Sequence, residues 1–162
     1  MKANALKMIL IFLGVLLLFS CPGFSAEAPQ SKEAKEIVAL VDKAVALIES
    51  KGKAVFQEFK KKGSEWRKGD AYIFINDMNG TSLMHPVSSE LETKNLIDMK
   101  DANGKAFIRD FIETAKTKGS GWVDYMWPKP GEKNPSKKLS YIKRAKMPNG
   151  ETVIVGAGIY AR

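Results

Sequence analysis

The stretch AYIFINDMNGTSLMHP, residues 71–86, decides the fold. Tyr72-Ile-Phe-Ile75 is short and rich in β-branched and aromatic side chains, which suit a strand. Asp77-Met-Asn-Gly80 carries the Asn-Gly turn signal. Thr81 to His85 returns as a second strand, and Pro86, which has no amide hydrogen to donate, stops it. Upstream, Ser31 suits a helix N-cap, with Glu33 in the first turn. Ala34, Ile37, Val38, Val41, Ala44, Val45, Ile48, Val55, Phe56 and Phe59 recur at steps of three and four. That period predicts one amphipathic helix over about 32–62, roughly 46 Å long at about 1.5 Å per residue. Gly52 weakens its middle and marks a kink position. Lys60-Lys61-Lys62 falls at its end, where cations suit the helix dipole.

Downstream, residues 87–100 lack periodicity and read as an irregular connection. Asp101 is expected to cap a second helix, with Phe107, Ile108, Phe111, Ile112 and Ala115 as its apolar face and Gly119 as its stop. Gly121–Trp127, Lys138–Arg144 and Thr152–Tyr160 read as three further strands. The polar loop PKPGEKNPS (128–136) and the turn Pro148-Asn149-Gly150 separate them. Hairpins and meanders make antiparallel sheets. The order therefore predicts an α+β, PAS-like or profilin-like domain. A long N-terminal helix packs on one face of a five-stranded antiparallel sheet. The crossing segment 86–120 roofs a pocket on the other face.

Composition removes several chemistries. The chain has 162 residues, is 44% hydrophobic and 27% charged, and so is neither disordered nor an integral membrane protein. The single cysteine, Cys21, excludes an internal disulfide, a CxxC redox pair, a cysteine zinc site and a c-type haem attachment. The single histidine, His85, excludes a multi-histidine metal cluster and HExxH. Neither GxxxxGK[ST] nor GxGxxG occurs, and no cofactor is expected. Asp77–Gly80 and Asp98–Gly104 lack the full calcium-loop pattern, so turn and cap roles explain them. The formal charge of +8 reads as a lysine-rich solvated surface. No basic run is interleaved with aromatic residues, so no nucleic-acid partner is expected.

The first 25 residues read as a secretory signal peptide. Lys2 and Lys7 precede an unbroken apolar run, Met8–Phe19, too short for a bilayer span of about twenty residues. Gly23-Phe24-Ser25 allows cleavage before Ala26. Leu18-Phe19-Ser20-Cys21 is close to a lipoprotein box, which would acylate Cys21. Residues 26–31 are a short linker and 32–162 a single domain. Without residues 1–25, 137 residues with a charge of +6 remain, enough for one independent core.

Candidate chemistry gathers on the later strands. Tyr125 and Trp127 alternate onto one strand face, and Lys138 and Tyr141 follow in the next strand. Rings with a polar handle suit a half-wet pocket, and a lysine among them can hold a carboxylate. An aromatic sheet core with Lys138 reaching solvent is the alternative. His85 is a structural donor or a donor to an anion at a pocket rim. Without a GxSxG elbow it has no nucleophile to activate. Gly156-Ala-Gly158 suggests a bulge or close backbone approach.

The residues also carry a family resemblance. The hairpin AYIFINDMNGTSLMHP is similar to the first hairpin of single-Cache domains of the second type. NLIDMKDANGKAFIRDFIETAKTKGSGWVDYMWPKP (95–130), KKLSYIKR (137–144) and VIVGAGIY (153–160) resemble the same family in the same order. The resemblance covers nearly all of residues 32–160. It implies an extracytoplasmic PAS-like sensor domain for short organic acids such as acetate, propionate, pyruvate or lactate. By matching motif it implies Tyr125 and Trp127 as ring walls and a hydroxyl donor. Lys138 and Tyr141 would hold the carboxylate, His85 would be a rim donor and Phe74 an apolar wall. Because only two residues follow Tyr160, the expectation is a free-standing exported version, periplasmic or lipid-anchored, that needs a membrane receptor partner to signal.

Two functions are compared. The first is a non-enzymatic binding module, with loop 86–100 closing over the acid. The second is an interaction protein that homodimerises through its long helix, whose stripe approaches heptad spacing. An enzyme has least support, since no nucleophile, metal cluster or acid–base pair can be placed together.

Overall fold

A computed structural model describes residues 29–161. The expected signal peptide, Cys21 and residues 26–28 of the linker lie outside the described residues. Ser31 caps α1 (Lys32–Lys51), its Oγ accepting the Ala34 amide at 3.1 Å. Ala34, Ile37, Val41, Ala44, Val45 and Ile48 form the buried stripe of α1. The expected long helix kinks at the expected position. Gly52 takes φ +61°, a left-handed conformation that costs glycine little. A 3-10 turn, Gly52–Val55, leads into α2 (Phe56–Lys60), where Phe56 and Phe59 continue the buried stripe. The break re-aims the apolar face without ending it.

The strands are β1 (Arg67–Lys68), β2 (Ala71–Tyr72), β3 (Phe74–Asp77), β4 (Ser82–Met84), β5 (Ser120–Pro128), β6 (Pro135–Lys146) and β7 (Thr152–Tyr160). The second long helix, α3 (Phe107–Thr117), precedes β5. The main sheet has the order β4-β3-β7-β6-β5, with every pair antiparallel. The first expected strand is split at Ile73. Ala71 and Tyr72 pair with Lys68 and Arg67 in a small ribbon, while Phe74–Asp77 joins the main sheet. Arg67 and Lys68 carry no strand-like pattern, so the ribbon was not legible.

Asp101 does not cap α3, whose N-cap position is Ala106. One Asp101 carboxylate oxygen accepts the Asn103 and Lys105 amides, each at 2.9 Å, and the other accepts the Met126 amide at 2.8 Å. Asp101 therefore closes a turn and ties it to β5. Asp77 does the same in its hairpin, accepting from Asn79 and Thr81. Both carboxylates are consumed by turns, as their sequence context suggests. No group of acidic, histidine or cysteine side chains suited to a metal ion exists among the described residues.

The sheet separates two apolar cores. On one face α1 and α2 pack against Ile75, Met84, Trp122, Ala145, Val153, Val155 and Ala157. On the other, Phe107, Ile108, Phe111, Ile112 and Ala115 of α3 cover Tyr72, Phe74, Val123, Tyr125, Ile142 and Ile154. Two glycines of β7 leave space on this second face. A Cβ at Gly156 would lie 2.3 Å from the Phe74 ring. One at Gly158 would lie 2.5 Å from Ser140 Oγ and 2.9 Å from Lys138 Cε. Gly158→Ala should therefore overpack this floor and destabilise the fold by about 1–3 kcal/mol, read as a lower Tm in thermal denaturation. An unchanged Tm would show that the floor yields without cost.

Candidate functional site

The second face of the sheet carries a polar group that the core cannot satisfy. Lys138 lies opposite Tyr125 on one side and Tyr160 on the other. Its side chain is 1% exposed. Its ammonium sits 4.0 Å from the Tyr72 ring centroid, 5.2 Å from that of Tyr160 and 5.5 Å from that of Phe74. No carboxylate pairs with it among the described residues. Burial pulls its pKa down to about 7, with only the distant charge of Asp70 opposing.

Beside it, the Tyr72 hydroxyl is buried with no hydrogen-bond partner among the described residues. Burial raises its pKa to about 12. The Tyr160 hydroxyl and the Trp127 indole are close enough to act on Tyr72 electrostatically, but neither reaches hydrogen-bonding geometry. The Tyr160 hydroxyl instead donates to the Pro128 carbonyl at 2.8 Å.

His85 stands over this group, its ring 5.2 Å from Tyr72 and 6.0 Å from Trp127. Its Nδ1 accepts the Ser88 amide at 2.9 Å, which places the proton of the neutral ring on Nε2. Burial, reinforced by the Lys138 charge, lowers its pKa to about 3, so the ring is neutral at physiological pH. Lys138, Tyr72 and His85 thus converge as hydrogen-bond donors, with no acceptor between them among the described residues.

Next to the donors lies a small cavity of about 20 Å³, room for about one water. Phe74, Tyr125, Trp127 and His85 line one part, and Asn76, Ser82, Leu91, Leu96, Phe107, Ile108 and Phe111 the rest. Phe107 stacks on Tyr125 at 4.4 Å between centroids, with the rings 3° from parallel. That contact is held from outside. Lys105 Nζ donates to the Asp124 carbonyl at 2.6 Å and to its carboxylate at 2.9 Å, drawing the start of α3 onto β5. A wider groove of about 960 Å³ runs along the start of α1, the β1–β2 turn and the end of β7. It is open, and Glu33, Glu36, Glu65, Lys68 and Lys129 contribute solvated charge to it. Its size reflects a surface trough, whereas the buried His85 and Tyr125 line the smaller cavity.

Of the residues predicted from sequence, Phe74, His85, Tyr125, Trp127 and Lys138 share this face of the sheet. Tyr141 does not. It lies an odd number of residues from Lys138, and strand side chains alternate with period two. Its ring packs 5.4 Å from Trp122, against the helix-side core. Tyr125 lines the cavity, and its hydroxyl shares a hydrogen bond with Ser140 Oγ at 3.1 Å. Sequence reading missed Tyr72, Tyr160, Asn76 and Ser82. The even spacing of Tyr72 from Phe74 was an available signal. The pairing of Tyr160 with Lys138 was not, because register is set by the whole β6–β7 ladder.

With this geometry established, known proteins can be compared. A Cache domain family model matches residues 34–162. The methyl-accepting chemotaxis protein McpP of Pseudomonas putida is 37% identical over 91 residues. That match covers 56% of this chain and 16% of the receptor, so the chain spans a small part of its relative. A Cache chemosensory domain, solved for the basis of its carboxylic acid recognition, superposes with a TM-score of 0.68 at 28% identity. The superposition covers 80% of this chain and 94% of that one. The periplasmic sensor domain of a chemotaxis protein gives a TM-score of 0.62 at 29% identity, covering 77% and 88% of the two chains. The one-sheet architecture, the roofed pocket face and the family match over residues 34–162 together establish that this chain belongs to the Cache domain family.

Proposed function

We propose that this protein is a non-enzymatic, extracytoplasmic binding module for short carboxylates such as acetate, propionate, pyruvate or lactate. The observation that carries the reading is the set of buried donors without an acceptor. A buried ammonium and a buried hydroxyl are costly when unpaired. A carboxylate supplies the missing negative charge and the missing acceptors in one group. The related Cache domain that recognises carboxylic acids supports the same class of ligand. In this reading Lys138 and Tyr72 hold the carboxylate, the His85 Nε2 proton caps its rim, and Phe74, Tyr125 and Trp127 enclose the alkyl part. The present cavity is small, so admission requires loop 86–100, with Leu91 and Leu96, to lift and reclose. Export rests on the expected leader over residues 1–25, with anchoring if Cys21 is acylated. Signalling would pass to a membrane receptor.

Lys138→Met removes the cation while keeping the stem. It should weaken propionate binding by about a hundredfold in calorimetry, the loss expected for a charge-assisted contact. Unchanged affinity would remove Lys138 from the site. Tyr72→Phe separates binding from stability. Deleting an unsatisfied buried hydroxyl should leave the empty protein as stable or stabilise it by about 1 kcal/mol, yet weaken propionate about tenfold. Loss of stability with full affinity would assign the hydroxyl to the fold alone.

The pH dependence has opposite signs with and without ligand. A bound carboxylate raises the Lys138 pKa, so binding above about pH 7 takes up a proton. Affinity should be flat below that value and fall by up to about tenfold per pH unit above it. The empty protein behaves in reverse. The Lys138 pKa is about 7 when folded and 10.5 when unfolded, so the unfolded chain binds more protons between those values. Stability should therefore rise with pH across that window. Buffer-dependent binding heats and denaturant titrations read the two signs, and an affinity that rises above pH 7 would contradict the assignment.

A further inference from the structure

Glu92 lies outside the cavity lining, in the loop that roofs it, yet it bridges two parts of the molecule. One carboxylate oxygen accepts the backbone amide of His85 at 2.9 Å. The other lies 2.7 Å from the Lys60 ammonium, at the last residue of α2. With side chains 20% and 28% exposed, Glu92 and Lys60 form the most sheltered ion pair among the described residues. The neighbouring residue is also constrained. Thr93 is the one non-glycine residue with a positive φ, 68°, among the described residues. Its amide donates to the Ser82 carbonyl at 2.8 Å, and Ser82 lines the cavity.

The end of α2 is also stitched to the segment that follows it. The Lys60 carbonyl accepts from Arg67 Nη1 at 3.3 Å, and Glu58 in the same helix accepts from the Trp66 indole at 3.2 Å. On its other side, α2 is separated from α1 by the left-handed Gly52. The short helix is therefore fastened to the pocket rim at one end and jointed at the other.

We propose that Glu92 and Lys60 are positioning residues that set His85 in the pocket and couple displacement of the rim to α2. The inference rests on the acid-binding reading for its function, though the coupling itself stands without a ligand. When the rim moves, the Glu92 carboxylate must carry α2 with it or release Lys60, because its two oxygens are committed to different elements. An exposed pair would yield by rotating into water; this one has little water to turn to.

Hydrogen exchange on the whole protein tests the relay. Without ligand, Lys60→Met should speed exchange in residues 85–93 about tenfold, although Lys60 lies far from them in sequence. Glu92→Gln keeps an acceptor for the His85 amide but removes the ion pair, so it should loosen both 56–60 and 85–93 as Lys60→Met does, and an unchanged rim in Glu92→Gln also overturns the proposal. Lys60→Arg, which keeps the charge, should behave as wild type. Unchanged rim exchange in Lys60→Met overturns the proposal, as does rim exchange in Lys60→Arg as fast as in Lys60→Met. Propionate then supplies the functional arm. It should protect both 85–93 and 56–60 in wild type but only 85–93 in Lys60→Met, and equal protection of 56–60 in both proteins also overturns the coupling. If propionate neither binds in calorimetry nor protects any segment, the acid-binding reading fails while the ligand-free comparison still decides the relay.

Discussion

The alternation of β6 is the constraint on which the rest of the structure depends. This strand pairs with β5 on one edge and β7 on the other, and the helical layer and α3 cover its two faces. Lys138, Ser140 and Ile142 point to the α3 side, while Leu139, Tyr141 and Ala145 meet the helical layer. A slip of one residue would exchange every one of these side chains between the cores. It would drive Lys138 into the apolar layer under α1 and bring Tyr141 into the pocket. Lys143, on the helix side, pairs with Asp42 of α1 at 2.7 Å, which helps hold the register from outside.

Once the register is set, this face of the sheet contains an electrostatic conflict. Desolvating an ammonium costs several kcal/mol, and among the described residues no carboxylate pairs with it, Asp70 acting only at a distance. The faces of Tyr72, Tyr160 and Phe74 offset part of the cost, at about 2 kcal/mol for a desolvated cation–π contact. The lowered pKa of Lys138 reflects the remainder. A polar arrangement that the fold itself does not satisfy is suited to receive a ligand. The same group explains the glycines of β7, since Gly156 and Gly158 make room for the Phe74 ring and the lysine stem.

The roof is held differently from the floor. The floor is a continuous ladder of strands. The roof combines the apolar packing of α3 with a few polar clamps: Asp101 on the Met126 amide, Lys105 on Asp124, and Glu92 between His85 and Lys60. Such contacts open at lower cost than a sheet ladder. A donor array under a cover pinned at few points accords with membership of the Cache family.

Much of the fold was determined by sequence alone. The 3.6-residue stripe of α1, the Asn-Gly hairpin and the period-two strands near the C-terminus specify an α+β domain because they are local patterns with local physical causes. The kink at Gly52 followed from one residue's backbone freedom. Five of the six candidate residues fall on one face of the sheet, and they were legible because aromatic and cationic types stand out against an apolar strand. Tertiary structure decided the rest. Tyr141 shares a motif with Lys138 but not a face, and only the pairing of β6 with its neighbours showed which face was the pocket. Asp101 looked like a helix cap and became a clamp, because the amide it needed lay in β5. Tyr72 and Tyr160 come from distant parts of the chain and meet over one ammonium. The Glu92–Lys60 bridge spans 32 positions. Sequence reports what each residue can do, whereas the burial and missing partners that give these groups their chemistry arise only when distant strands set a common register.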